Sequence, residues 1–230
     1  MTTDRPTAGH AVVTGASSGI GLAICARLLR EGWQVTGLSR TAPTLDHPGF
    51  AHRPVDLLDA AALAPALAGC APTALVHAAG VMRSAPLGAL DPAAGEALWR
   101  LHVDVACRLA DLLTPRLPEG GRILLLGSRA AGGAPGRSQY AASKAAMLAL
   151  ARSWAAELLP RRITVNVVAP GATDTPMLRD PARGPVPPRM PPIGRYIAPE
   201  EVAALAAFLL GPEAGAITGQ EVMICGGASL

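Results

Sequence analysis

Short apolar runs and amphipathic stretches alternate along the chain. Ala11 to Thr14 is an apolar strand running into a Gly/Ser turn, and Ile20 to Arg30 repeats its apolar positions at helical spacing before Gly32. Trp33 to Leu38 and Ala51 to Val55 predict the next two strands. Ala60 to Ala68 predicts a helix that Pro65 kinks or ends early. Thr73 to His77 follows as a fourth strand, and Pro92 to Leu113 as one long helix leading into Arg122 to Leu126, a fifth strand. Ser138 to Leu159 is a helix, Ile163 to Val168 the sixth strand, Pro199 to Leu210 the last helix and Glu221 to Ile224 a final short strand. Between Thr175 and Ala198 lies a segment rich in Pro and Arg without periodicity, which predicts a mobile loop. Continuous apolar strands suit a sheet buried on both faces. The alternation predicts an α/β fold, a doubly wound parallel sheet of about seven strands with Rossmann-like topology and helices on both faces. Its ligand crevice would lie at the carboxyl ends of the strands. No linker interrupts the alternation, so residues 1–230 are expected to form a single domain.

Half of the residues are apolar and 3% are aromatic, so the core must be built mainly from Ala, Val, Leu and Ile. A formal charge of +3 with arginines scattered along the chain argues against a nucleic-acid partner. Cys25, Cys70, Cys107 and Cys225 lie far apart, without metal-ligand spacing, and read as reduced thiols. The start, Met1 to His10, is polar, and no apolar run approaches the roughly 20 residues that span a bilayer. A soluble, cytoplasmic protein with no membrane partner and no metal is expected.

Nineteen of the twenty basic side chains are arginine, and the one lysine, Lys144, stands four places after Tyr140. On a helix this spacing puts hydroxyl and ammonium on one face. Arginine is effectively never deprotonated and cannot replace a compact, mobile point charge. Bringing a phenol from its ordinary pKa of about 10 to neutrality takes about 4 kcal/mol of phenolate stabilisation, and a nearby cation supplies much of that. The alternative is a tyrosine ring packed on the lysine's alkyl stem.

Thr14-Gly15-Ala16-Ser17-Ser18-Gly19-Ile20-Gly21 follows the first strand and opens the first helix. Glycines there admit a pyrophosphate close to the backbone, and the helix start supplies N–H donors. The spacing resembles that of the short-chain dehydrogenase/reductase family, and the resemblance extends over nearly the whole chain. His77-Ala78-Ala79-Gly80 is similar to the family's Asn-Asn-Ala-Gly, Gly127-Ser128 to its catalytic serine, and Tyr140-x-x-x-Lys144 to its catalytic pair. Asn166 with Pro170-Gly171, followed by Thr173 and Thr175, resembles the segment lining the nicotinamide. Gly219-Gln220 and Gly226-Gly227 resemble the carboxyl-terminal signature.

The resemblance implies interconversion of a carbonyl and an alcohol by hydride transfer, with Tyr140 as proton donor or acceptor and Ser128 bonding the same oxygen. It also implies that Lys144 binds the nicotinamide ribose and lowers the tyrosine pKa. Gly15, Ser17, Ser18, Gly19, Ile20, Gly21, Ala79 and Gly80 would hold the cofactor, and Asp56-Leu57 its adenine. The chain departs from the family pattern in three places. Asp104 takes the helix position of a usual asparagine, the Ser128 to Tyr140 spacing is one residue short, and His77 and Ala78 replace two asparagines. At the end of the second strand Ser39 and Arg40 stand where NAD-specific enzymes carry an acid, which favours NADP. If Arg40 is a solvated loop residue, NAD remains possible. Arg83 and Arg129 are placed either to meet a substrate anion or to face solvent. The segment Met177 to Ile193 is expected to cover the substrate, and the two long helices to build a homotetramer or homodimer. The expectation is an NADP(H)-dependent carbonyl reductase acting on a small-molecule carbonyl or alcohol. The alternatives are an NAD-dependent alcohol or diol dehydrogenase and an inactive nucleotide sensor.

Overall fold

Five central strands, mostly apolar and buried, and two less buried edge strands assemble into one parallel sheet in the computed structural model, which describes residues 9–230. The polar start before Gly9 lies outside the described residues. Seven strands, His10–Thr14 (β1), Gln34–Ser39 (β2), Phe50–Pro54 (β3), Ala74–His77 (β4), Arg122–Leu126 (β5), Thr164–Pro170 (β6) and Glu221–Ile224 (β7), run in the order β3-β2-β1-β4-β5-β6-β7. Every neighbouring pair is parallel, with β1 paired to β2 on one side and β4 on the other. The winding reverses between β1 and β4, where a doubly wound sheet opens a crevice at the carboxyl ends of its strands.

Helices cover both faces. Gly19–Arg30 (α1) and Pro199–Leu210 (α7) pack together over one face, around Ile24, Leu28, Val202 and Ala206. Ala60–Ala66 (α2), Val105–Leu113 (α4) and Ser138–Leu158 (α5) bury Leu63, Leu109, Met147 and Ala151 against the other. The two remaining helices, Pro92–Trp99 (α3) and Pro176–Arg179 (α6), lie toward the carboxyl edge. The strand boundaries depart from the expected ones by a residue or two, and α2 stops at Ala66, just after Pro65.

Two expectations need correction. The single helix anticipated from Pro92 to Leu113 is broken by a π-helical turn, Arg100–Asp104, between α3 and α4. Such turns insert a residue without disturbing the apolar pattern, and they concentrate at functional sites. The segment after Thr175, expected as a loop without periodicity, holds short helical turns and forms a flap tied down at its ends. Besides α6 it contains a 3₁₀ turn, Pro181–Arg183, capped by Asp180, whose carboxylate accepts the Ala182 N–H at 2.9 Å. Its ends are pinned by Asp174 N–H to Ile197 O (2.9 Å), Ile197 N–H to Ala172 O (3.0 Å) and Ile193 N–H to Gly226 O (3.2 Å).

Asn166, on β6, is 1% exposed; its side-chain amide donates to Ile217 O (2.7 Å) and accepts from Gln220 N–H (3.1 Å), tying β6 to the turn before β7. Asn166→Leu leaves both backbone groups unpaired, and each should cost about 1–3 kcal/mol of stability. Urea unfolding measures this, and a total loss below about 0.5 kcal/mol would place the substitution among inert surface changes and contradict the brace.

Candidate active site

The turn after β1 is closed by backbone geometry that side chains would block. Gly15 and Gly19 adopt φ of 68° and 54°, and a Cβ on Gly15 would lie 2.9 Å from Ala79 Cα, while one on Gly21 would lie 2.2 Å from Gly15 O. The turn therefore sits directly on the end of β4. Ser18 precedes α1 without giving it a side-chain cap, so the first-turn N–H groups lack the partner an N-cap would supply. Thr14 Oγ1 accepts the N–H groups of Ala78 and Ala79 (3.0 Å each) and donates to His77 Nδ1 (3.0 Å), holding the β4 segment against this turn. Thr175 joins the same surface, since a Cβ on Gly19 would meet its methyl at 3.2 Å. Gly171 is pressed on β7, its N–H bonding Ile224 O at 2.8 Å.

Because all strands are parallel, the segments after β1, β2, β3, β4, β5 and β6 emerge at one edge. Gly15, Arg40, Asp56, Gly80, Ser128 and Pro170 are thus brought to a common side. Ser39 departs from its expected role. It is 6% exposed, and its hydroxyl donates to Thr41 O (2.8 Å) and accepts from His52 (3.1 Å), so it ties β2 to β3 while Arg40 is exposed. Leu57 is buried and Asp56 exposed, with its carboxylate accepting the Leu58 N–H at 3.0 Å.

Ser128 caps the 3₁₀ turn Arg129–Gly132, its Oγ accepting the Ala130 N–H at 3.1 Å. Accepting that N–H leaves the hydroxyl proton available, and Ser128 favours the ionised form of the Tyr140 phenol. Tyr140 sits in the first turn of α5, 7% exposed. Burial pushes its pKa up, and Ser128, Arg137 and Arg183 oppose that rise. Lys144, one turn later, is 5% exposed and donates to Leu126 O at 2.7 Å, and burial brings its pKa down from 10.5 to about 7. Two arginines, Arg137 and Arg183, favour the phenolate, while Lys144 is anchored on the last residue of β5 one turn from the phenol.

The expectation for Asp104 is corrected. Asp104 ends the π turn half-buried, beside Leu57, Leu58, Arg100 and Arg108, and its charge acts on Cys107. The residue that enters the site is His102. It is fully buried, stands edge-on to the Tyr140 ring with centroids 5.7 Å apart, and accepts the Val81 N–H at Nε2 (3.1 Å). Its Nδ1 donates to Ser143 Oγ (3.0 Å), and Ser143 donates to Tyr140 O (2.8 Å), so His102 braces the first turn of α5. His102 lies within the π turn, two residues before Asp104. His77 is equally buried and donates from Nε2 to Leu101 O (3.1 Å) inside that turn. Burial, assisted by the Lys144 charge, drives His77 down to about 3 and His102 well below its ordinary value. Both rings are neutral, each fixed in one tautomer by its partners.

The family model described as enoyl-(acyl carrier protein) reductase matches residues 15–229. The short-chain reductase protein NovJ of Streptomyces niveus is 33% identical over 247 residues, covering 94% of this chain and 92% of that one. The solved short-chain dehydrogenase/reductase from Serratia marcescens is 33% identical, with a TM-score of 0.83 and coverage of 97% and 99%. The blue fluorescent protein from a metagenomic library, solved in complex with NADPH, is 29% identical, with a TM-score of 0.83 and coverage of 96% and 98%. Fold and site together are those of a nicotinamide-dependent oxidoreductase with a Rossmann-like sheet. The chain belongs to the short-chain dehydrogenase/reductase family.

The buried histidines set an acid limit. Their folded pKa values lie below the unfolded 6.5, so below that pH the unfolded chain binds more protons. Stability is complete above about pH 6.5 and falls as pH drops toward 3, by up to about 1.4 kcal/mol per pH unit for each ring. His77→Asn should flatten this slope in urea midpoints measured from pH 7 to pH 4. An unchanged slope would contradict a neutral, buried His77.

Proposed function

We propose that the protein is an NADP(H)-dependent oxidoreductase interconverting a carbonyl and an alcohol. The observation that carries this reading is the burial of Tyr140 and Lys144 one turn apart on α5, with Lys144 anchored on Leu126 O at the end of β5 and Ser128 just beyond that strand end favouring the phenolate. The glycine turn fits a dinucleotide, because Gly15 and Gly21 allow a closure that a Cβ would block and α1 presents its uncapped start to a pyrophosphate. When bound, the nicotinamide supplies or accepts the hydride.

The residues of this chain manage the proton. In reduction, Tyr140 donates its phenolic proton to the substrate oxygen as that oxygen gains charge, and Ser128 donates a hydrogen bond to the same atom. Arg137 and Arg183 favour the phenolate that Tyr140 becomes. Lys144 uses one N–H on Leu126 O and keeps two for a ribose hydroxyl or a water that returns the proton. His102 holds the turn bearing Tyr140, and burial of Tyr140, Lys144 and His102 limits the access of bulk water.

Cofactor choice rests on the end of β2. Ser39 offers no carboxylate, its hydroxyl is engaged internally, and exposed Arg40 is free to bond a 2′-phosphate. The NADPH bound by the metagenomic relative agrees with this choice. Assembly through α4 and α5, a cytoplasmic location and a single domain belong to the same proposal. Among the described residues no helix is long and apolar enough to cross a membrane.

Purified protein should bind NADPH more tightly than NADH by nicotinamide fluorescence, and Arg40→Ala should remove most of that preference. Tyr140→Phe should lower kcat on any ketone or aldehyde by about 10²–10⁴-fold while NADPH binding is retained. A panel of ketones, aldehydes and enoyl thioesters tests the reaction type. Turnover confined to the enoyl substrates, or full activity in Tyr140→Phe, would reject the reading.

A further inference from the structure

Two guanidinium groups bear on Tyr140, one at the start of α5 and one in the flap, and among the described residues neither is paired with an anion. Arg137 precedes α5, and its Nη2 donates to Pro187 O in the flap at 3.0 Å. Arg183 belongs to the flap itself, is 8% exposed, and donates from Nη1 to Leu178 O at 2.8 Å. Its own carbonyl accepts the Ser84 hydroxyl at 2.8 Å, and Val186 lies so close over Gly136 that a Cβ there would come within 2.6 Å of its Cγ2. The flap is thus seated on both the β4 segment and the start of α5. In this seating the Nε atoms of Arg137 and Arg183 are buried without any hydrogen-bond partner. The charges of both arginines reach the phenol, and those of Arg183, Arg129 and Arg189 all act on Arg137.

Among the described residues, none of these four arginines enters an ion pair. Asp174, just before the flap, pairs with Arg179, and the flap's one acid, Asp180, faces Arg83 at 3.8 Å. That pairing turns Arg83 away from the anion-binding role open to it in the sequence, whereas Arg129 stays within the cluster. Arg183 is buried and Arg137 half-buried, and like charges held close without a counter-charge are costly in proportion to how far they leave water. A planar guanidinium fork matches a carboxylate or phosphate with two parallel bonds.

We propose that Arg137 and Arg183 form a recognition site for an oxyanion, carboxylate or phosphate, carried by the substrate beside the group that Ser128 and Tyr140 address. The proposal rests on the carbonyl–alcohol reading only in calling the bound molecule a substrate. It makes the flap a selector for acidic substrates.

Calorimetric titration of the full chain loaded with NADPH tests it with three unreactive probes of one shape, benzoate, phenyl phosphate and benzamide. At least one anion should bind about tenfold or more tightly than benzamide, and the better anion identifies the source of the charge. Replacing both arginines, Arg137→Gln with Arg183→Gln, should bring all three probes within about twofold while leaving the NADPH affinity unchanged. If the double variant does not fold, Arg137→Gln alone should cut the anion preference by at least about threefold. Equal binding of the three probes, or a preference that survives the substitutions, would overturn the proposal. An intact anion preference without turnover of any keto acid would instead count against the carbonyl–alcohol reading.

Discussion

Lys144 donates to the carbonyl of Leu126 at 2.7 Å, and the ammonium has almost no access to water. The chemistry of the site follows from that placement. A fall from 10.5 to about 7 represents about 5 kcal/mol of lost preference for the charged lysine, so the fold tolerates the ammonium only because a strand-end carbonyl faces it. Arginine, which stays charged and needs room for its fork, could not occupy the place. This accounts for the one lysine in a chain that otherwise uses arginine. The neutrality of His77 and His102 follows from the same dryness and the same nearby cation.

Tyr140 is subject to two opposing demands. Burial excludes water from the proton-transfer step and disfavours phenolate, while Ser128 and two arginines favour it. The local devices are cheap in structural terms. A serine caps the turn after β5, a histidine braces the first turn of α5 through Ser143, and a flap is pinned at three backbone bonds. The serine and the flap follow the ends of strands, as binding groups carried by a rigid scaffold commonly do, whereas the histidine stands within the π turn.

The sheet was legible in the sequence because strands buried on both faces must be nearly continuous in apolar residues, and the helices between them repeat at 3.6. Ser128, Tyr140 and Lys144 were legible for a related reason: one stands at a strand end and the others are four apart on a single face. The π turn was not, since one inserted residue leaves a plausible apolar face on either side of it. Likeness to the family's asparagine position pointed to Asp104, whereas His102, two residues earlier in the π turn, is the residue that enters the site. A signal was present in His102 itself, a polar residue among apolar neighbours on the side later seen to be buried. Ser39 was placed correctly at the end of β2, but its partner His52 lies on another strand, beyond any local pattern. Arg137 and Arg183 were invisible as a pair because tertiary seating of an aperiodic segment brings them together.

Because the chain contains a single lysine, labelling that residue with ¹³Cε and ¹⁵Nζ yields one reporter that needs no assignment. An NMR titration of the intact protein between pH 5 and pH 11 measures its ionisation directly. A midpoint near the value of about 7 set by burial would establish the dry, carbonyl-anchored ammonium on which the account depends. A midpoint at the ordinary 10.5 would contradict it, placing Lys144 in water and leaving Tyr140 without an enclosed site.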